Sequence, residues 1–120
     1  MRQSAVAVFT LSVGMGIAAG LGCKSAPPPT PIEDLTPQQA RGHAVFQSRC
    51  AQCHYDRRDA SLHGPPLLGV FKKPYLPSGA PANDDRVQAT ILRGRNLMPP
   101  MGNTMDAQDL DDLMAYLHTL

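Results

Sequence analysis

Three side chains near the middle of the chain have the types and the spacing needed for one particular chemistry. Cys50, Cys53 and His54 form the pattern C-x-x-C-H. Two thiols three positions apart on a helical turn can each add to one vinyl group of a haem, and the adjacent imidazole can supply an axial nitrogen to its iron. The motif therefore predicts one haem c attached covalently through Cys50 and Cys53, with His54 as an axial ligand.

Other metal or redox chemistry fits the same motif less well. A structural zinc ion normally takes four protein ligands in two spaced pairs, and the sequence has no second cysteine pair. The remaining histidines lack the close spacing of a zinc motif; they are His43, His63 and His118. A thioredoxin-like dithiol would need surrounding strands, and the sequence shows no convincing strand pattern. No residue set resembles a nucleophile with its base, so we expect no catalysis by the isolated chain.

Four motifs in order carry a resemblance to the class I c-type cytochromes. A helix-forming segment precedes the sequence CAQCH, and residues 64–67 (GPPL) are similar to the family's G-P-x-L. Residues 94–99 (GRNLMP) are similar to its G-x-x-x-M-P, and residues 113–117 (LMAYL) to its L-x-x-Y-L. The resemblance covers residues 36–120 and implies an all-α fold, a small cytochrome c-like arrangement of three main helices and haem-wrapping loops.

The resemblance also assigns roles around the haem. It implies Met98 as the second axial ligand, and a thioether favours Fe(II) and raises the reduction potential relative to a second imidazole. It implies that the carbonyl of Pro65 accepts the other ring N–H of His54, which would orient that ligand. Leu67 and Met101 would pack against the haem. Met101 is also a rival ligand to Met98, and the other histidines are further alternatives.

Helix signals frame these motifs. Thr36 is a candidate N-cap with Pro37 at the first helical position, and a last helix is expected to open at Asp106. A middle helix is expected from Asp84 or Asp85 to Arg93, capped by Asn83 or Asp84 and ended by Gly94. We assign one set of residues to packing between the first and last helices: Gly42, Phe46, Leu113, Tyr116 and Leu117.

The N-terminal third predicts export and attachment to a membrane. Residues 1–22 have one positive charge and then small or apolar residues, as in a signal peptide. Cys23 follows Leu-Gly and resembles the lipidated cysteine of bacterial lipoproteins; an uncleaved anchor and a soluble cleaved product are the alternatives. Residues 23–35 are a proline-rich tether, which favours an extended spacer, and residues 36–120 are the cytochrome domain.

Composition and charge agree with a small haem domain. The chain has 120 residues and a formal net charge of +1, which excludes a broad basic surface for nucleic acid. Aromatic residues make up only 5%, so a haem would supply apolar bulk that the side chains lack. Charge is uneven, because the middle of the chain is basic and the last helix is acidic. Six basic side chains are candidates for steering an acidic redox partner: Arg57, Arg58, Lys72, Lys73, Arg93 and Arg95.

These features predict a one-electron carrier with a single haem c and His/Met ligation. It would work in a periplasmic or membrane-associated electron-transfer chain, with a protein donor and a protein acceptor. One alternative is a cytochrome c subunit of a larger membrane-bound dehydrogenase or oxidase. Another is a gas-binding haem sensor, in which an external ligand would displace Met98.

Overall fold

The structure is a computed structural model that describes residues 27–120. The predicted signal peptide and Cys23 lie outside the described residues. The described chain forms a short 3-10 helix, Ile32–Asp34, and three α-helices: α1, Pro37–Arg49; α2, Asp84–Arg93; and α3, Ala107–Leu117. In residues 27–120 the extended pairings are limited to two isolated bridges, Tyr75 with Pro81 and Arg95 with Met98. The predicted all-α class with three main helices is confirmed.

Helix α1 begins where its capping residues require. The Thr36 hydroxyl accepts a hydrogen bond from the backbone N–H of Gln39 at 3.3 Å. The Gln39 side chain accepts in return from the Thr36 N–H at 2.9 Å, which completes a capping box. Pro37 occupies the first helical position, where its missing N–H has no intrahelical partner to lose. The predicted start of this helix is therefore confirmed.

The other two helices are also capped by short polar side chains. The Asn83 side chain accepts from the Arg86 N–H at 3.0 Å, so Asn83 rather than Asp84 is the N-cap of α2. Gly94 ends α2 with φ of 72°, a conformation that glycine adopts at little cost. The Asp106 carboxylate accepts from the Asp109 N–H at 2.7 Å at the start of α3. Both helices begin as expected.

The core lies where α1 meets α3. Phe46 of α1 is 1% exposed and Tyr116 of α3 is 0% exposed, with ring centroids 5.9 Å apart. Gly42 is buried at the same crossing, and a Cβ built there would overlap the Asp112 carbonyl and crowd Tyr116. Glycine therefore permits the close approach of the two helices. The five residues assigned to this packing, Gly42, Phe46, Leu113, Tyr116 and Leu117, are all buried.

An ion pair adds a polar contact to the crossing. Asp112 of α3 is 3% exposed, and its carboxylate accepts from the Nε and Nη2 of Arg41 at 2.7 and 3.1 Å. The Gln108 amide donates a third hydrogen bond at 2.9 Å. The hydrogen bonds from Arg41 hold the pKa of Asp112 below its usual range. Asp112 therefore serves the contact between α1 and α3.

The described part of the tether lies against the domain. The backbone N–H of Thr30 donates to the Thr119 carbonyl at 2.8 Å, and its own carbonyl accepts from Arg57 Nη2 at 2.7 Å. The Lys72 ammonium donates to the Pro27 carbonyl at 3.0 Å. Residues 27–30 are therefore docked on the domain, a contact that the expectation of an extended spacer did not include. We call this docked segment, residues 27–30, the strap.

Within residues 27–120, no helix has the length and the apolar character needed to cross a membrane.

Candidate haem site

The C-x-x-C-H motif continues directly from α1. The Cys50 N–H donates to the Phe46 carbonyl at 2.8 Å, which makes Cys50 the C-cap of the helix. The backbone N–H groups of Cys53 and His54 both donate to the Cys50 carbonyl at 3.0 Å. The motif is thus held in a tight turn, and its position is fixed by the α1 residues that pack on α3.

The two thiols differ in their surroundings. Cys50 is half-buried and Cys53 is exposed, and both are free of disulfide bonds. Burial raises the pKa of the Cys50 thiol to about 11, so this thiol is protonated at neutral pH. Both sulfurs are therefore available for bonds to a prosthetic group.

The His54 ring is oriented by the loop that follows the motif. Its Nδ1 lies 2.8 Å from the Pro65 carbonyl oxygen, which can only accept, so Nδ1 carries the proton and donates. The Gly64 N–H donates to the Cys53 carbonyl at 2.7 Å, and a Cβ at Gly64 would fall inside the space of the His54 ring. The arrangement leaves Nε2 as the basic nitrogen, which is the atom a metal would need.

Met98 and Met101 follow α2 and are three positions apart in the sequence. Both side chains are half-buried at the edge of the hydrophobic core. The Met101 N–H donates to the Ile91 carbonyl at 3.0 Å, and its sulfur lies 3.9 Å from the Thr104 hydroxyl. No hydrogen bond reaches the Met98 sulfur within the described residues, so its lone pairs are available to a ligand site.

The remaining methionines of the described chain serve the core. Met105 is 8% exposed and Met114 is 5% exposed, and both belong to the buried hydrophobic cluster. Their placement matches the packing role expected from the sequence. A flexible thioether side chain fills irregular space of this kind well.

Two of the alternative histidines are engaged elsewhere. The His43 ring lies 5.0 Å from the Tyr116 ring and its Nε2 lies 3.1 Å from the Gln47 amide. The His118 ring stacks on Phe71 with centroids 4.0 Å apart, and its Nε2 lies 2.8 Å from an Asp84 oxygen. Gln47 lies one turn beyond His43 on α1, whereas Tyr116, Phe71 and Asp84 are distant in the sequence from the histidines they contact, so these three contacts were not expected.

His63 is the third alternative and lies beside the motif itself. Its backbone N–H donates to the Cys53 carbonyl at 3.2 Å, and its side chain is exposed. The residue therefore takes part in the turn through its main chain.

The loops that hold Pro65 and Met98 carry a set of apolar side chains that are only partly buried among the described residues, and we call this set the apolar rim. Several hydrophobic side chains pack against the core but are only half-buried: Leu67, Val70, Phe71, Leu76, Met98 and Met101. Leu67 belongs to the same loop as Pro65, and its N–H donates to the Tyr55 carbonyl at 2.9 Å. The donor set of two thiols, one oriented imidazole and a thioether, together with this apolar rim, fits a covalently bound haem.

The basic side chains proposed for steering divide into two groups. Arg57 donates to the Tyr116 hydroxyl at 3.3 Å as well as to the strap, and Lys72 also bonds the strap. These two cations are therefore structural. Arg58 is exposed, with its guanidinium 4.4 Å from the centre of the Tyr55 ring. The other exposed candidates are Lys73, Arg93 and Arg95.

The buried tyrosine of α3 connects the strap to the motif. The Tyr116 hydroxyl donates to the Asp56 carboxylate, two positions beyond His54, at 2.5 Å. Burial, together with this hydrogen bond, raises the pKa of Tyr116 well above its usual range, so the hydroxyl stays protonated. Sequence reasoning missed Asp56 and Arg57 as its partners, since the residues are about 60 positions apart.

Comparison with known proteins places the chain among haem proteins. A family model described as "Cytochrome C oxidase, cbb3-type, subunit III" matches residues 37–117. Cytochrome c-555 of Methylococcus capsulatus is 31% identical over 100 residues, which cover 81% of this chain and 72% of that protein. A cytochrome c-553-like protein of Synechocystis is 32% identical over 81 residues, or 67% of each chain. Cytochrome c6 of Porphyra purpurea is 28% identical over 76 residues, or 63% of this chain and 66% of that protein.

Proposed function

Because the chain belongs to the class I c-type cytochromes, carries one haem c and transfers electrons, we propose that Cys50 and Cys53 attach the haem and that His54 and Met98 are its axial ligands. The single observation that carries the proposal is the 2.8 Å contact of His54 Nδ1 with the Pro65 carbonyl. That contact leaves Nε2 free on a ring fixed next to two free thiols. When bound, the haem supplies an iron that gains and loses one electron.

The protein's contribution is to hold the ligands and to exclude water. The Pro65 carbonyl fixes the tautomer of His54 and increases the basicity of its other nitrogen. Met98 would supply a soft thioether, which favours the reduced iron and competes with external ligands. Leu67 and Met101 would pack on the haem and keep the local dielectric low. The residues thus favour electron transfer over ligand binding at the iron.

The cellular setting follows from the N-terminal sequence. We infer export through residues 1–22 and membrane attachment through a lipid on Cys23, with residues 23–35 as the connection to the domain over residues 36–120. Covalent haem attachment by a C-x-x-C-H motif and an export signal are compatible features of one chain. Replacing Cys23 with alanine should release the protein from membranes while leaving its haem in place.

Its partners are a redox donor and a redox acceptor. Of the six proposed cations, four are exposed and make no side-chain hydrogen bond within residues 27–120: Arg58, Lys73, Arg93 and Arg95. They suit a partner with an acidic docking surface, since opposite charges accelerate encounter. Electron-transfer rates with the native partner should therefore fall as ionic strength rises.

Variants of the full-length protein test the ligand assignment. Cys50→Ala with Cys53→Ala should abolish the haem stain on a denaturing gel. Met98→Ala should lose the red absorption band of a methionine–Fe(III) bond, whereas Met101→Ala, its neighbour and rival, should retain it. A Met98→Ala protein that keeps the band would refute the Met98 assignment.

A second candidate function is that of a subunit within a larger oxidoreductase. The matching family model is described as an oxidase subunit, and this description favours the second function. Purification of the protein from native membranes distinguishes the two. A stable complex with a flavin, quinone or copper protein would support the subunit function, and isolation of the cytochrome alone would support a mobile or singly anchored carrier.

A further inference from the structure

A tight turn immediately precedes the proposed ligand Met98. The Arg95 N–H donates to the Met98 carbonyl at 3.0 Å, and the Met98 N–H donates to the Arg95 carbonyl at 2.9 Å. The two residues between them, Asn96 and Leu97, therefore form a two-residue loop. The favoured turns of this length have positive φ at the first of the two loop residues, where glycine and asparagine are preferred.

Asn96 supplies that conformation. Its φ is 50°, and it is the one non-glycine residue with positive φ in the described range 27–120. Asparagine tolerates this region better than other side chains, and β-branched residues tolerate it least. Leu97 is 96% exposed, whereas the next residue, Met98, is half-buried. The turn therefore directs the Leu97 and Met98 side chains to opposite sides.

Gly94 lies directly against the backbone that follows this turn. With φ of 72°, it ends α2, and its N–H donates to the Thr90 carbonyl at 2.9 Å. A Cβ at this position would lie 2.5 Å from the Met98 carbonyl oxygen and 2.8 Å from the Pro100 nitrogen. The backbone of Met98 and of the prolines after it therefore rests directly on Gly94.

The chain beyond Met98 returns to the end of α2. The Met101 N–H donates to the Ile91 carbonyl at 3.0 Å, and the Gly102 N–H donates to the Leu92 carbonyl at 3.1 Å. Between these bonds and the turn, Pro99 and Pro100 have restricted backbone torsions. The Met98 backbone is thus fixed on both sides to the last turn of one helix.

From this geometry we propose that Asn96 is a positioning residue for Met98, and that its left-handed conformation keeps the thioether bound against competing ligands. The proposal rests on the ligand role of Met98 proposed above. A thioether is a weak ligand, so its retention depends on a backbone that already holds it in place. Forcing residue 96 out of the left-handed region would break the paired Arg95–Met98 hydrogen bonds and let Met98 move away.

The test measures how readily imidazole replaces the methionine in the oxidised, haem-bearing, full-length protein. The variants are Asn96→Val, the milder Asn96→Ala, and Asn96→Gly. Glycine adopts positive φ without strain, so the last variant should keep the native turn. We expect Asn96→Val to bind imidazole about tenfold more tightly than the native protein, a ratio typical of backbone strain of this class. Asn96→Ala should lie between the two, and Asn96→Gly should stay within about twofold of the native affinity.

Gly79→Ala is the matched control. Gly79 also has positive φ, 82°, and a Cβ there meets no atom within 4 Å, so the variant adds the same kind of strain away from Met98. It should lower stability without changing imidazole affinity. An equal rise in affinity for Gly79→Ala and Asn96→Val would overturn the proposal, because general destabilisation would then explain both.

The Met98→Ala protein distinguishes a failure of the positioning role of Asn96 from a failure of the ligand role of Met98. If Met98→Ala loses the methionine–Fe(III) band but Asn96→Val and Asn96→Ala bind imidazole as the native protein does, the positioning role is wrong and the ligand assignment stands. If Met98→Ala keeps the band, the ligand assignment itself fails, and the positioning role fails with it.

Discussion

The Nδ1 atom of His54 lies 2.8 Å from the carbonyl oxygen of Pro65, eleven positions further along the chain. The contact joins the turn after α1 to the segment before α2, which holds four of the six side chains of the apolar rim. It fixes which nitrogen of the ring is protonated and which is basic. The loop can come this close because residue 64, which lies against the ring, has no side chain.

Substituting Gly64 should disturb the ring directly. In Gly64→Ala the new methyl group would occupy the space of the His54 ring, so the ring must turn and lose its hydrogen bond to Pro65. We expect a smaller fraction of low-spin, haem-bearing protein, measured as the ratio of haem absorbance to protein and by electron paramagnetic resonance. Gly79→Ala adds backbone strain at φ of 82° but no overlap with a ring, so it controls for general destabilisation and should retain the native ratio.

At the helix crossing, we expect a glycine-to-alanine substitution to lower the free energy of unfolding, which is the opposite of its usual effect in a helix. In an exposed helix, glycine to alanine stabilises by about 1 kcal/mol. Gly42→Ala should instead destabilise by on the order of 1–3 kcal/mol, because the methyl group would overlap the Asp112 carbonyl. Urea denaturation followed by circular dichroism measures the difference. A more stable Gly42→Ala protein would show that the helices do not approach as closely as described.

The Arg41–Asp112 pair predicts a loss of stability in acid. Its hydrogen bonds lower the pKa of Asp112 in the folded state from the ordinary value of 3.8, so the unfolded chain takes up the proton first as pH falls. The stabilisation is therefore present in full above the unfolded pKa and is lost as pH falls through the folded pKa. Asp112→Asn should be less stable than the native protein at neutral pH and should show a weaker loss of stability in acid.

Asp111→Asn is the matched control for this measurement. Asp111 is the preceding residue on α3 and is exposed. Its substitution should leave the denaturation midpoint and its pH dependence close to native. Parallel pH profiles for Asp112→Asn and the native protein would count against the pair as the source of acid sensitivity.

The strap predicts a difference between two substitutions at one position. Thr30→Pro removes the N–H that donates to Thr119 at 2.8 Å, whereas Thr30→Ala keeps it. A lost hydrogen bond of this kind costs about 1 kcal/mol, which would lower the Tm by roughly 4–8 °C in a domain of this size. Thermal unfolding of both variants tests this, and equal Tm values would indicate that the Thr30–Thr119 hydrogen bond contributes no stability.

Local features of the fold could be predicted from the sequence because their causes are local. The caps at Thr36, Asn83 and Asp106, and the glycine that ends α2, act on backbone groups within a few positions. The C-x-x-C-H motif likewise depends on one turn. The spacing of apolar residues also identified the faces of α1 and α3 that pack together.

Contacts between distant residues could not be predicted in the same way. The sequence placed Asp112 among four aspartates at the start of α3, but only the fold shows it buried beside Arg41. The partners of Tyr116 were missed for the same reason. The strap was missed because proline composition predicts an extended backbone but does not indicate what that backbone lies against.

The α1–α3 crossing has a consequence for how the domain folds. Arg41 and Asp112 are 71 positions apart, and all the proposed haem residues of the described chain lie between them. Docking the two helices therefore closes the whole intervening segment into one loop, which must be formed before its contacts contribute, and such non-local contacts slow folding. Until that loop closes, His54 and Met98 belong to independent segments of an open chain. We expect helix docking and the meeting of the two ligands to occur as a single cooperative event.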